Sequence, residues 1–192
     1  MPKIDLQALL EESGAILHGH FLLTSGRHSD VYFEKFRVLE QPRVLTALCS
    51  EIAERFAGCG IDLVTGPTTG GIIIAFEVAR QMGLPAIYVE SESGRKTLRR
   101  GAHIPEGAKV LIVDDVLTTG KSVFEVIEVV KSAGGVPSGV ALLIDRSESP
   151  IDFGCPSFAA HKVIAQSFAP EDVPDWLSKL PITKPGTRPA QK

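Results

Sequence analysis

The chain has 192 residues, 44% of them hydrophobic and 22% charged, which is enough to bury one main core and argues against a second independent domain. Its formal net charge of −3 excludes a bulk electrostatic attraction to nucleic acid or anionic lipid, so any anion site must be local. No apolar run approaches the ~20 residues that span a bilayer, and the N-terminal MPKIDLQALLEESGA carries charges where a signal peptide is apolar, so a cytoplasmic location without a membrane partner is expected.

Ile4, Leu6, Leu9, Leu10 and Ile16 recur at near-helical spacing among acids, which predicts a short amphipathic helix between Ile4 and Leu17. Gly19 to Lys35 pairs two extended stretches across a Thr-Ser-Gly turn and predicts a hairpin. Val44, Leu45, Leu48, Ile52 and Phe56 then mark a helix over Pro42 to Phe56 with one apolar face. Beyond it, short apolar runs alternate with amphipathic segments. Strands are predicted at Asp62–Thr65, Ala86–Val89, Val110–Val113 and Val136–Ile144, with helices around Ile72–Met82 and Ser122–Ala133. Runs apolar enough to be buried on both faces predict an α/β fold, a mainly parallel sheet covered by helices. Phe158 to Phe168 reads as an edge strand, Pro170 to Leu180 as a short helix opened by acids, and residues 184–192 as a mobile tail. Cys49, Cys59 and Cys155 are odd in number and outside any CxxC pattern, so neither a disulfide framework nor a zinc site is expected.

The chemistry concentrates in Val110 to Ser122, VLIVDDVLTTGKS, where a buried strand runs into two acids and then a helix-opening loop. Thr118, Thr119, Gly120, Lys121 and Ser122 offer backbone N–H groups, hydroxyls and one cation, a phosphate cradle aided by the helix dipole. Asp114 and Asp115 would repel a bound phosphate unless they serve sugar hydroxyls and the metal that accompanies a polyphosphate. A P-loop is excluded, because GxxxxGK[ST] requires glycine where this chain has Asp115.

Acids upstream and phosphate donors downstream resemble the 13-residue signature of type I phosphoribosyltransferases, enzymes that use phosphoribosyl pyrophosphate (PRPP). The resemblance implies their fold, with a single domain over 1–183 and a small N-terminal hood over about 1–36. It implies that Asp114 and Asp115 hold the ribose hydroxyls and help place Mg²⁺, with the segment Val116, Leu117, Thr118, Thr119, Gly120, Lys121 and Ser122 completing the PRPP site. Gly66 to Gly71, GPTTGG, is by itself a weak signal for anything beyond a strand-to-helix turn. By resemblance, Thr68, Thr69 and Gly70 contact the pyrophosphate. The basic segment GRKTLRRG, Gly94 to Gly101, resembles the mobile catalytic loop that reaches across a homodimer interface, which makes Arg95, Lys96, Arg99 and Arg100 candidates for stabilising the departing pyrophosphate.

The segment LTSGRHSDVYF and the pair Asp145-Arg146 resemble the orotate branch of that family. There Tyr32 and Phe33 would flank a planar pyrimidine, Arg146 would bond the anionic base through its fork of donors, and Arg27 and Thr118 would complete the base site. The chain departs from better-known orotate enzymes at Thr24, where many have lysine, at Thr69-Gly70, where they have Tyr-Lys, and in lacking a Lys-Asp-His pattern in the basic loop. The same reaction on adenine, xanthine or uracil is one alternative, opposed by Arg146 and the aromatic pair. A non-catalytic PRPP-sensing regulator is another, opposed by the short segment ahead of the hairpin.

Overall fold

The computed structural model describes residues 5–23, 25–163 and 166–184. Thr24 and residues 185–192, which include nearly all of the expected tail, lie outside the described residues.

Helix α1 (Leu6–Glu12) is capped by the Asp5 side chain, which accepts the Ala8 N–H, and ends earlier than expected because strand β1 (Ile16–Leu22) starts at Ile16. Strand β2 (His28–Phe33) returns antiparallel to β1, so the predicted hairpin is present. A short helix α2 (Lys35–Leu39) with Glu34 as its N-cap leads into α3 (Pro42–Phe56), whose proline opens the helix where its missing N–H costs nothing. The alternating part follows: β3 (Leu63–Pro67), α4 (Gly70–Met82), β4 (Ala86–Glu92), β5 (Arg95–Thr97), β6 (Lys109–Leu117), α5 (Lys121–Ser132) and β7 (Val136–Asp145). The chain closes through β8 (Ser157–Lys162), β9 (Ser167–Phe168), a 3₁₀ turn (Pro170–Asp172), α6 (Asp175–Ser178) and β10 (Ile182–Thr183).

Six strands form the main sheet in the order β5-β4-β3-β6-β7-β8, parallel except for β5. The expected α/β architecture is thus observed. Along β6 and β7 the side chains divide between two cores, as the two-residue strand period requires. Leu111, Val113, Ala141 and Leu143 meet α3 and α4 on one face, while Val110, Ile112, Val140 and Leu142 meet α5 on the other.

Three features depart from the sequence reading. The basic segment, expected as a loop, is partly a hairpin, with Glu90, Ser91 and Glu92 of β4 paired to Thr97, Lys96 and Arg95. The stretch Phe158 to Phe168 is two strands in two different sheets, β8 on the main one and β9 elsewhere. The N-terminal hairpin is the middle of a second sheet, β10-β1-β2-β9, which takes its outer strands from the far end of the chain. Two-residue strands carry too little periodicity to announce themselves in a sequence.

Helix α4, which begins at the GPTTGG loop, is fixed to α3 by one polar cluster. Glu77 accepts hydrogen bonds from Arg80 Nε and Nη2 at 2.8 Å each, Gln81 Nε2 at 2.8 Å and Thr46 Oγ1 of α3 at 2.9 Å. Arg80 foremost, with Gln81 and Thr46 and against the effect of burial, holds the Glu77 carboxyl down from 4.5 to about 2. Its stabilisation is complete above about pH 4.5 and is lost as pH falls through about 2. Glu77→Gln is therefore expected to cost about 1–2 kcal/mol at pH 7 in urea unfolding, with the two proteins converging as the acid limit is approached.

Candidate active site

Strand order reverses between β3 and β6. From β3 the chain moves outward to β4, and from β6 it moves the other way to β7 and β8. In open α/β sheets, such a switch point leaves a crevice at the carboxyl ends of the two strands. The two loops singled out in the sequence, GPTTGG after β3 and the Thr-Thr-Gly-Lys-Ser loop after β6, both open there. Each leads into a helix whose N-terminus no side chain caps, which leaves first-turn N–H groups for an anion.

Strand β6 continues through the acids to Leu117, so Asp114 and Asp115 obey the strand period and point to opposite faces. Asp114 faces α5. Its Oδ1 accepts the Asp115 N–H at 2.8 Å, and burial, followed by the charge of Asp115, pushes its carboxyl up from 3.8 to about 6 against the pull of that N–H, Ser122 and Lys35. Asp115 faces the hood side. Its Oδ1 accepts the Val116 N–H at 2.8 Å and its Oδ2 accepts Lys35 Nζ at 2.8 Å. Gly70 stands directly against it, because a Cβ there would lie 2.5 Å from Asp115 Oδ2. The sequence pattern brought out the two acids but missed Lys35, which belongs to no motif, and missed that Gly70 leaves room for Asp115.

Thr118 and Thr119 are exposed in the loop and Gly120 is buried as the N-cap of α5 with φ 74°. Lys121 is exposed and reaches Glu125 only at 3.9 Å, while Ser122 is half-buried at the side of Asp114. Val116 is half-buried, but the Leu117 side chain is 7% exposed and packs in the α5 core, so its place in the signature is structural. Its carbonyl accepts the Arg146 N–H at 2.9 Å and so ties the end of β7 to the end of β6. Thr68 and Thr69, joined by a cis peptide bond, follow β3, with the Thr68 N–H bonded to Val89 O at 2.9 Å.

Arg146, half-buried, is the second charged element of the crevice. Burial lowers its affinity for the proton, opposed by Tyr32, and its Nε is buried without a hydrogen-bond partner. Tyr32 is half-buried and its hydroxyl is raised by burial and by Glu34, against the opposing pull of Arg146 and Lys35. The hydrogen bond of Lys35, two residues beyond β2, to Asp115 at 2.8 Å ties this part of the hood to the end of β6.

The expectation of a two-ring wall does not hold. Tyr32 and Phe33 are neighbours on a strand and face opposite ways, and Phe33 is 5% exposed in the main core, which leaves the Tyr32 ring alone for the crevice. Arg27, expected at the base, donates from Nε to Ser167 Oγ at 3.0 Å and from Nη2 to Ser167 O at 2.6 Å, and so pins β9 to the hairpin. The basic cluster divides as well. Arg99 lies 3.7 Å from Glu90 and 3.5 Å from Glu92, and Arg100 Nε bonds Glu90 at 2.9 Å, whereas Arg95 and Lys96 have no ion-pair partner among the described residues. Their hairpin borders a cavity of about 550 Å³ against Glu125, Glu128 and Val129 on the later turns of α5, so within one chain these cations are not brought to the acids.

Among the described residues no group of three or more His, Cys, Asp or Glu side chains is gathered to hold a metal. Two hard carboxylates beside a phosphate cradle nevertheless suit Mg²⁺, which keeps most of its waters and takes further oxygens from a substrate.

The family model of the phosphoribosyl transferase domain matches residues 37–153. The orotate phosphoribosyltransferase of Pelotomaculum thermopropionicum is 46% identical over 188 residues, covering 98% of this chain and 99% of that protein. That of Caldanaerobacter subterraneus is 44% identical over 188 residues, 98% and 99% of the two chains. Among solved structures, orotate phosphoribosyltransferase from Aeropyrum pernix superposes with a TM-score of 0.72 at 29% identity, covering 82% of this chain and 93% of that one.

Two substitutions test the site's construction. Between pH 3.8 and about 6, the folded protein keeps a proton on Asp114 that the unfolded chain has released, so this group's contribution to stability falls as pH rises through that window. Asp114→Asn is therefore expected to be more stable than the parent by about 1–2 kcal/mol at pH 8 in urea unfolding, with the gain vanishing in acid below that window. Gly120 and Gly14 share a left-handed backbone, φ 74° and 73°, but a Cβ at Gly120 would meet Phe153 Cε1 at 3.1 Å while one at Gly14 meets nothing within 4 Å. Gly120→Ala is expected to lose about 1 kcal/mol more than Gly14→Ala in the same measurement.

Proposed function

The chain belongs to the orotate phosphoribosyltransferase family, and we propose on that premise that it joins the ribose 5-phosphate of PRPP to orotate, giving orotidine 5′-phosphate and pyrophosphate in UMP synthesis. The observation that carries the choice of base is the buried, unpartnered Nε of Arg146 beside Tyr32. A guanidinium lacking a partner in a buried crevice calls for an acceptor from a ligand, and an anionic pyrimidine with carbonyl oxygens supplies one that adenine lacks.

In this reading, the Thr118–Ser122 loop binds the 5′-phosphate through its N–H groups and hydroxyls, aided by the α5 dipole. Asp114 and Asp115 take the ribose hydroxyls from the two sides of β6, which holds the anomeric carbon toward the base. Thr68, Thr69 and Gly70 border the pyrophosphate. Arg146 orients orotate, Tyr32 stacks on it, and Thr118 borders both ligands. The base nitrogen displaces pyrophosphate at the anomeric carbon as positive charge develops on the ribose, and the adjacent carboxylates suit that charge. Bound Mg²⁺ would be held through Asp114 and Asp115, in part by way of water, and would supply charge neutralisation on the pyrophosphate oxygens.

A homodimer completes the reading. Arg95 and Lys96 have no ion-pair partner among the described residues and lie along α5 away from their own acids, which favours their serving a neighbouring subunit's pyrophosphate. Helix α4 turns Ile73 and Phe76 outward at 41% and 64% exposed, and α2 does so with Phe36 at 58%, apolar area that a second copy would cover. No helix among the described residues is long and apolar enough to cross a membrane, and the three cysteines are unpaired, which accords with work in the reducing cytoplasm.

The test is the fall in orotate absorbance when purified protein is mixed with PRPP and Mg²⁺, with adenine, xanthine and uracil as parallel bases. Loss of orotate that requires both PRPP and metal is expected, and Arg146→Ala is expected to raise the KM for orotate by at least about 10-fold. Turnover of another base in its place would refute the orotate reading. Binding of PRPP without consumption of any base would make the protein a sensor.

A further inference from the structure

Lys35 lies outside every motif that marks the site, yet its ammonium is the one side-chain donor on Asp115 among the described residues, at 2.8 Å. The Asp115 carboxylate is held from three directions. Its own backbone takes Oδ1 through the Val116 N–H, Gly70 closes one side of Oδ2, and Lys35 bonds the same oxygen. The Asp115 side chain is 12% exposed and that of Lys35 43%, so the acid is enclosed while the ammonium keeps one side toward open space.

The position of Lys35 in the chain is fixed on both sides. Two residues before it, the Phe33 ring is locked in the core, and Lys35 is itself the first residue of α2, whose N-cap Glu34 accepts the Phe36 N–H at 3.2 Å. Residues 32–35 thus form a strut of roughly 10 Å at most, with Tyr32 at one end and the cation on Asp115 at the other. Lys35 also enters the electrostatic surroundings of both the Tyr32 hydroxyl and the Asp114 carboxyl.

We infer that Lys35 is a positioning residue, which sets the Asp115 carboxylate for the phosphoribosyl substrate and joins the strand that walls the base to the acids that hold the ribose. This rests on the reading of the crevice as a PRPP site. Without the ammonium, Asp115 has no side-chain donor among the described residues, and its Oδ2 is free to turn from the orientation in which Gly70 and Lys35 hold it. PRPP then meets an unset acid, so binding weakens. Lys35 acts through Asp115 and not on the reacting atoms, so its loss raises the KM for PRPP and leaves kcat nearly unchanged.

The experiment is calorimetric titration of PRPP with Mg²⁺, in the absence of any base, into the parent protein, Lys35→Met, Lys35→Arg, Asp115→Asn and the Lys35→Met/Asp115→Asn pair. Thermal melts confirm folding, and Lys35→Gln replaces the methionine variant if that one does not fold. Lys35→Met is expected to bind PRPP about tenfold more weakly, and Lys35→Arg within about threefold of the parent. The double variant is expected to bind no worse than Asp115→Asn alone, since Lys35 has nothing left to position. If Asp115→Asn weakens binding while Lys35→Met does not, or if the two losses multiply in the double variant, the role assigned to Lys35 is wrong although the PRPP site stands. If the parent protein itself fails to bind PRPP, the site reading falls and this inference falls with it. In steady-state assays, a kcat loss as large as the KM rise would also count against a positioning role.

Discussion

The two-residue period of one strand governs the arrangement of the site. Because β6 stays extended through Asp114 and Asp115, two consecutive acids are sent to opposite faces of the sheet at the point where strand order reverses. One acid meets the start of α5 and the other meets Gly70 and Lys35. Had the strand ended at Val113, both carboxylates would have lain in a loop with water between them, and neither would have been held by the flanking helix or the hood. Their burial has an electrostatic cost, visible in the raised Asp114 carboxyl, and the surroundings offset it with two uncapped helix N-termini and one ammonium.

The hood stays over these acids because both ends of the chain build it. Arg27 holds Ser167, the Ser29 hydroxyl donates to Gln166 O at 2.9 Å, and His20 Nδ1 reaches Leu180 O at 3.3 Å. Since that carbonyl only accepts, His20 carries its proton on Nδ1, and its Nε2 accepts from His28 Nδ1 at 2.6 Å. The bonds to Ser167, Gln166 and Leu180 span 137 to 160 residues of sequence, so the wall at Tyr32 is positioned only when the C-terminal segment has docked. The Tyr32 side of the crevice is thus assembled from non-local contacts, while the Thr118–Ser122 side is assembled locally, at the turn from β6 into α5.

That difference explains what was legible beforehand. The strand Val110–Val113, the acids and the cradle announced themselves because one continuous segment carries both the fold signal and the chemistry. The parallel sheet followed from runs buried on both faces. Lys35 was invisible, since an ion pair across 80 residues leaves no pattern in either segment. Tyr32 and Phe33 were overread as a pair because adjacency in sequence is separation across a strand. Arg27 sat in the right motif, but two of its donors serve β9, a strand too short to foresee. The basic segment was placed correctly in sequence, while its division into two ion-paired arginines, Arg99 and Arg100, and two cations without an ion-pair partner among the described residues, Arg95 and Lys96, depended on the glutamates of β4.

The crevice is also a place where stability and use are opposed. A buried carboxylate raised to about 6 destabilises the folded protein at neutral pH, and an apolar residue at Asp114 would be easier to fold. Arg146 shows the same conflict with the opposite sign, a cation disfavoured by burial and left with an unpartnered nitrogen. The rest of the core, in which Leu111, Ile112, Leu142 and Leu143 are at most 1% exposed, is stable enough to tolerate both. Arg146 Nε lacks an acceptor that an anionic base would provide, and Asp114, although it accepts the Asp115 N–H, has lost water that sugar hydroxyls would replace. Ligand binding then satisfies the groups that folding left wanting, and the protein binds tightly where it is locally least stable.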